Sequence, residues 1–271
     1  MRCTKMHGAG NSFVVTENLR GELQGEDLGV LALRLCREQE ADGLIVVVPA
    51  QDADFGMLFY NADGSLGEMC GNGARCLARY GVEHSLAPDP AHIRIRATAG
   101  LVFGRRISRE QYEIRLNDPS VIDLHRPAFD GEKVCDCCYV ELGDPGIPHV
   151  VVMAEAAELD DPDRLRERGR TLRFSPAFPR GANVSFVCLM GENRARAITF
   201  ERGVEDFTLA CGTGCGAIAV CLTLTGQTPA GRVEIDMPGG HLSVALTCER
   251  GTARDLFLTG PTAIVSEGET A

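Results

Sequence analysis

The chain carries the same arrangement twice, and that repetition limits its fold more than any single segment does. Residues 57–78, "MLFYNADGSLGEMCGNGARCLA", and residues 197–219, "AITFERGVEDFTLACGTGCGAIA", each run strand, polar loop, Cys-Gly-x-Gly and apolar helix. Placing Cys70 on Cys211 also sets "ADGLIVVV" from Ala41 against "GANVSFVC" from Gly181, and "GNSFVV" from Gly10 against "GIPHVV" from Gly146. The repeat unit is roughly half the chain, so it predicts two homologous domains rather than a solenoid of short units. With 271 residues, each half is long enough to bury its own core. The boundary is expected near "RLNDPSVID" at 115–123.

Within this frame, short and often alternating apolar runs read as strands: "SFVVTEN", "GLIVVVP", "FGMLFYN", "HIRIRAT", "YEIRLND", "CYVELGD", "HVVVMAE", "NVSFVCL", "ARAITFE", "RVEIDMP", "LSVALTC" and "DLFLTGP". Fewer segments read as helices: "GEDLGVLALRLCREQ", "DDPDRLRERGRTLR" and the stretches after "MCGNG" and "ACGTG". The expected class is mixed α/β, rich in strands.

Composition narrows the function classes. A net charge of −11 repels phosphate backbones and anionic lipid, which argues against nucleic acid and membrane partners and for a small-molecule ligand. The longest apolar run, "LIVVV", is too short to span a bilayer, and the N-terminus carries no signal-peptide-like apolar stretch. A cytoplasmic location is therefore expected. In a reducing compartment most of the 12 cysteines should be small buried thiols rather than disulfide partners. "CDCC" at 135–138 reads as strand packing on two alternating faces.

The two cysteine motifs carry the chemistry. A Gly-x-Gly turn opening a helix leaves backbone N–H groups pointing outward at the positive end of the helix dipole, which suits an anion. The same field favours the thiolate of a cysteine placed just before it. If the duplication is a pseudo-two-fold pairing in space, both helix starts and both thiols converge on one interdomain cleft and flank one carboxylate. That suits inversion of a carbon next to a carboxylate, in which a thiolate removes a proton from one face and a thiol returns one to the other. Neither motif is a Walker A or dinucleotide sequence, so no cofactor is expected.

Two competing readings use the same thiols. Cys70 with Cys76, Cys211 with Cys215, and Cys135, Cys137 and Cys138 offer zinc ligands, but no two Cys-x-x-Cys pairs occur together, and His7, His84, His92, His125 and His241 show no metal-ligand spacing. No metal site is expected. A non-catalytic thiol redox protein is the other, and proton exchange at a substrate α-carbon separates it from an enzyme.

The segments "TKMHGAGNSFVV", "EADGLIVV", "FYNADGSLGEMCGNGARC", "GANVSFV" and "ERGVEDFTLACGTG" together resemble the diaminopimelate epimerase family over essentially the full chain. The resemblance implies two pseudo-symmetric α/β domains, each a strand-rich barrel-like sheet around a central helix, with the active site in the interdomain cleft. The C-terminal segment returns to the first domain, giving 1–117 with about 258–271 and 118–257. It implies an isomerase independent of pyridoxal phosphate that takes LL-diaminopimelate to the meso form in lysine and cell-wall synthesis.

The family's acid/base thiols match Cys70 and Cys211, and the backbone at Gly71, Asn72, Gly212 and Thr213 would hold the reacting carboxylate. Asn11, Asn61, Asn183 and Arg202 match substrate-gripping positions. Glu201 and His149 match groups that assist the thiols or contact the substrate. On local sequence alone Asn61 reads equally as a turn residue. Three positions depart from the family: Ile147 stands for the Asn of Gly-Asn-Pro-His, Ser12 where Asp is common, and Phe207 where Glu or Gly is common. They leave open a racemase of another amino acid, such as histidine. The partner expected is an amino-acid substrate, and a homodimer is the assembly to test.

Overall fold

The computed structural model describes residues 1–67 and 70–269; Met69 of the first cysteine motif and the last two residues of the C-terminal segment lie outside this range. The chain divides into two compact units, Met1–Arg115 with Thr259–Ala271 and Leu116–Leu258. The elements up to the boundary are β1 (Arg2–Gly8), β2 (Asn11–Glu17), α1 (Leu28–Gln39), β3 (Gly43–Val48), β4 (Phe55–Asn61), β5 (Leu66–Gly67), α2 (Gly71–Glu83), β6 (Ile93–Ala97), β7 (Gly100–Arg106) and β8 (Gln111–Arg115). Beyond it come β9 (Pro119–Phe129), β10 (Val134–Gly143), β11 (Gly146–Met153), α3 (Ala156–Leu159), α4 (Pro162–Arg173), β12 (Asn183–Leu189), β13 (Arg194–Glu201), β14 (Asp206–Thr208), α5 (Gly212–Leu224), β15 (Arg232–Met237), β16 (Gly240–Glu249), β17 (Thr252–Pro261) and β18 (Ala263–Glu269).

The duplication is visible in strand pairing. In the first unit β18–β1 and β1–β2 are antiparallel, β2–β3 parallel, β3–β4 antiparallel, β4–β6 parallel and β6–β7 antiparallel, with β5 added to β4. In the second unit β9–β10 and β10–β11 are antiparallel, β11–β12 parallel, β12–β13 antiparallel, β13–β15 parallel and β15–β16 antiparallel, with β14 added to β13. The sequence of senses is identical. Each parallel pair needs a crossover, and the crossovers are where the helices lie.

One helix of each unit covers the sheet from outside. Asp27 caps α1 by accepting from the N–H groups of Gly29 and Val30, and α1 buries Leu31, Ala32, Leu35 and Cys36 against Leu44 and Val46 of β3. In the second unit α4 buries Leu165 and Leu172 against Val184 and Phe186 of β12. Successive side chains of a strand point to opposite faces, so Ile45 and Ser185 face the other way, toward the remaining helix of each unit. A strand covered on both faces reads as an unbroken apolar run, which explains "GLIVVV".

That remaining helix is central. From Gly71 to Gly81 every residue of α2 is buried, and α2 packs against β1, β2, β4, β6, β7 and β8. In α5 every residue from Gly212 to Leu222 except Thr213 is buried, against β10, β11, β12, β15 and β16. A helix apolar all round belongs inside a sheet that curls about it. Close packing requires glycine at Gly81, where a Cβ would lie within 2.6 Å of the Phe55 ring, and at Gly216, where it would come within 2.9 Å of Leu116 and Leu142. "CDCC" sits on β10: Cys135 and Cys137 join the core beside α4, while Cys138, also buried, lies beside Cys221 of α5.

Two charged groups nevertheless sit inside α2. Arg79 donates to the Thr262 carbonyl at 2.6 Å and to Glu83 at 2.8 Å, and Arg75, fully buried, donates to Asn72 Oδ1 at 2.8 Å. In the second unit a buried ion cluster ties α4 to the end of β9. Arg168 Nε donates to Asp130 Oδ2 at 2.7 Å and its Nη1 to Glu158 at 2.6 Å, while the Cys135 thiol also donates to Asp130 Oδ2 at 2.9 Å.

Candidate functional site

In the second unit, β13 and β14 form a hairpin that leads into α5, whose N-cap is Cys211. Cys211 has extended backbone angles, and its carbonyl accepts the first helical bond from the Cys215 N–H at 2.9 Å. Its Sγ accepts from the Gly214 N–H at 3.3 Å and lies 3.7 Å from Thr213 Oγ1. The N–H groups of Gly212 and Thr213 precede the first intrahelical donor, so they are presented at the positive end of the helix.

At the end of β13, Glu201 Oε1 accepts a hydrogen bond from Thr208 Oγ1. Burial raises the Glu201 pKa, and the Thr208 hydroxyl and the neighbouring Cys211 thiol partly offset it. Burial also pushes the Cys211 thiol well above its ordinary value, and the Glu201 charge pushes further in the same direction, against the Gly214 N–H and Thr213. The expectation that the helix start favours a thiolate is therefore overridden at Cys211: desolvation and an adjacent carboxylate outweigh the dipole.

Asn183 and Arg202 meet at the rim of the same unit. Asn183 Oδ1 accepts from the Arg202 N–H at 2.8 Å, and the exposed Arg202 side chain donates to the Arg180 carbonyl at 3.1 Å. His149 lies opposite Asn183 in the parallel β11–β12 ladder. It is fully buried, and neither ring nitrogen has a hydrogen-bond partner among the described residues. Burial, followed by the charge of Arg202, lowers its pKa to about 3, so the ring is neutral.

In the first unit Cys70 is the extended N-cap of α2, and the Ala74 N–H bonds its carbonyl at 2.8 Å. Asn72 is buried in the first turn. Its Nδ2 donates to Asn11 Oδ1 at 2.5 Å while its Oδ1 accepts from Arg75, so both ends of the amide are oriented. Asn61 is exposed and its Nδ2 donates to Ser65 Oγ at 2.9 Å across the β4–β5 turn. Its observed contacts are those of a turn residue.

The three departures occupy different surroundings. Ser12 donates its N–H to Asp42 at 2.7 Å, joining β2 to the residue before β3. Ile147 is half-buried opposite Leu142 at the β10–β11 hairpin. Phe207 packs edge-on to Phe186 and Phe200, so it belongs to the core beneath α4. Sequence reading misses Arg75, Thr208, Ser185 and Thr199. Their importance is cross-strand or one helical turn away, and no local pattern marks it. Among the described residues no group of three or more His, Cys, Asp or Glu could hold a metal ion, and no helix is long and apolar enough to cross a membrane.

Comparison with known proteins places this arrangement. The profile of the family described as diaminopimelate epimerase matches residues 3–105 and 143–265. The diaminopimelate epimerase of Carboxydothermus hydrogenoformans is 32% identical over 282 residues, covering 99% of each chain. That of Desulforudis audaxviator is 35% identical over 287 residues, again covering 99% of each. Among solved structures, a PhzF-family phenazine biosynthesis protein of Bacillus anthracis superposes with a TM-score of 0.79 at 13% identity, covering 100% of this chain and 99% of the other. A hydroxyproline epimerase of Agrobacterium vitis gives 0.68 at 18%, covering 99% and 91%. These structures share the fold.

Proposed function

Because this chain belongs to the diaminopimelate epimerase family, we propose that it epimerises LL-diaminopimelate to the meso form, for lysine and peptidoglycan synthesis in the cytoplasm, without pyridoxal phosphate. The observation that carries the reading is the matched pair of helix starts. Each unit caps its buried central helix with a cysteine followed by Gly-x-Gly. Inversion with no cofactor requires one base and one acid on opposite faces of the α-carbon, and two thiols of similar chemistry supply both.

In this mechanism the N–H groups of Gly71, Asn72, Gly212 and Thr213 hold the substrate carboxylate and stabilise the charge that develops on it as the α-proton leaves. Cys70 or Cys211 takes that proton as a thiolate, and the other, as a thiol, returns one. The two exchange roles with each turnover. The charge of Glu201 raises the Cys211 pKa and so favours the protonated thiol. His149 serves as a neutral donor or acceptor, consistent with its depressed pKa. Asn11, Asn61, Asn183 and Arg202 bind the remaining polar groups, with Arg202 suited to a carboxylate by its planar fork.

The test is incubation in D₂O under reducing conditions with LL- and meso-diaminopimelate, histidine, lysine and glutamate, following α-deuterium by NMR. Incorporation into diaminopimelate is expected. Absence of exchange with every amino acid would overturn the enzyme reading, and exchange with another one alone would move the substrate.

A further inference from the structure

Three hydroxyl side chains cross the sheet of the second unit in one row. Ser185 on β12 is the ladder partner of Thr199 on β13, and Thr199 is the partner of Thr208 on β14. Ladder partners share a face of the sheet. Ser185 Oγ and Thr199 Oγ1 are 2.9 Å apart and fully buried. At one end of the row Thr208 donates to Glu201 Oε1. At the other, Ser185 Oγ lies 3.4 Å from the place a Cβ on Gly214 would take, and Gly214 is the residue whose N–H reaches Cys211 Sγ. The row passes beneath the first turn of α5.

The first unit holds the same three ladder positions with apolar residues or none. Ile45 pairs with Phe59, and Phe59 with Gly67. Ile45 stands to Gly73 as Ser185 stands to Gly214: its Cδ1 lies 3.1 Å from the Cβ place of Gly73. Asn61 occupies the strand end at which the second unit has Glu201. Burying hydroxyls gains nothing over apolar packing unless they are bonded, so the fold alone gives no reason for the polar row. Row and carboxylate occur together in the second unit, where the carboxylate acts on the Cys211 thiol.

We propose that Thr208 is a positioning residue for the reaction above: its hydroxyl fixes one oxygen of Glu201 and so directs the carboxylate to the Cys211 thiol. The proposal rests on the epimerase reading for its consequence in catalysis, and on the Thr208–Glu201 bond with the charge of Glu201 beside the thiol for its effect on Cys211. A carboxylate held by a donor on one oxygen loses rotational freedom and keeps its other lone pairs for the thiol. Within the unit, the titratable groups acting on this pair are Glu201 and Cys211 themselves and Cys215, one helical turn on; Arg202 adjoins Glu201 in the chain, and Asp206 is its ladder partner across the hairpin.

The full-length protein is alkylated with iodoacetamide across a pH series, and Cys211 is followed by peptide mass spectrometry. In Thr208→Val the carboxylate is released from the thiol, so Cys211 should react about tenfold faster near pH 8, a midpoint about one unit lower. Glu201→Gln should move it the same way and Thr208→Ser should hold the original profile. With diaminopimelate, Thr208→Val should lower kcat by roughly 10–100-fold with little change in KM. Its acid limb should move to higher pH, because Glu201 loses a bond that lowers its pKa. Thr208→Ser should restore both. An unshifted alkylation midpoint in Thr208→Val, or Thr208→Ser behaving like valine with only thermal stability changed, would overturn the proposal. If Thr208→Val does not fold, Thr208→Ala takes the same assays. An unmodified protein that exchanges no α-deuterium would defeat the epimerase reading, and the alkylation profile would still decide the positioning.

Discussion

His149 stands at the ladder position of the second unit that Phe13 holds in the first: Phe13 opens the β2–β3 ladder opposite Gly43, and His149 opens β11–β12 opposite Asn183. Both residues are buried. The second unit thus has an imidazole beside an amide where the first has an apolar pair, with no change of strand register. A buried imidazole with no hydrogen-bond partner among the described residues has no packing advantage over phenylalanine, so packing alone does not account for it.

The burial of His149 should be visible in stability. In the folded protein it accepts a proton only near pH 3, whereas in the unfolded chain it does so near 6.5. Between those values the unfolded state binds more protons, so stability is complete above about pH 6.5 and falls as pH drops toward 3. The full loss is on the order of 5 kcal/mol as an upper bound. His149→Phe should flatten this dependence, measured as urea midpoints at about pH 6.5 and 4.5. An equal slope in the variant would place the protonation elsewhere.

A second acid-sensitive element is the Asp130–Arg168 pair. Burial raises the Asp130 pKa, but bonds from Cys135, the Lys133 and Glu132 N–H groups and Arg168 outweigh it, and the net value is about 2. Its contribution is present above the ordinary carboxyl value and is lost as pH falls toward 2, a window below that of His149. Asp130→Asn leaves a buried guanidinium without its main counter-charge and should cost about 3–5 kcal/mol in urea unfolding at neutral pH. A loss under about 1 kcal/mol would show that water reaches Arg168 more readily than its 2% side-chain exposure indicates.

Alternation and apolar runs made most of the sheet legible, because β3, β4, β11, β12 and β13 each bury at least one face. It hides β1, β7, β9 and β18. "RCTKMHG" interleaves charges with core residues, β9 contains Pro127 and is mostly half-exposed, and β18 ends in exposed polar residues, so their strand state comes from ladder partners. The placing of Cys70 and Cys211 at the starts of two helices was equally legible. The hydroxyl row and the Asn11–Asn72–Arg75 chain were not, since they join residues on different strands or on opposite sides of a turn. Phe207 shows the reverse: a departure conspicuous in sequence that proves to be aromatic packing.

Ile147 offers a test of substrate choice. Its side chain is apolar and half-buried at a hairpin end, two residues before His149, so it presents no amide to a polar substrate terminus. Ile147→Asn should raise kcat/KM for diaminopimelate relative to amino acids with an apolar end by roughly 10-fold, the scale of one hydrogen bond to a charged group. Competition assays across the amino-acid panel measure the ratio. An unchanged ratio would place Ile147 outside the pocket.

The two cysteines give the most direct separation of mechanisms. With a thiolate on one side and a thiol on the other, each variant that keeps a single sulfur can address one face of the α-carbon and cannot return a proton to the other. Cys70→Ser and Cys211→Ser should each lower epimerisation by roughly 10²–10⁴-fold, the usual contribution of one acid or base. Serine preserves the N-cap at both helix starts, so urea midpoints should change little and the loss is chemical. Single-face exchange sharpens the test. Offered LL- and meso-substrate separately in D₂O, each variant should retain residual deuterium uptake with only one configuration, and the two variants should show opposite preferences. Equal preferences, or one variant with normal turnover, would mean that a single cysteine serves both faces, and the two matched helix starts would then need a different explanation.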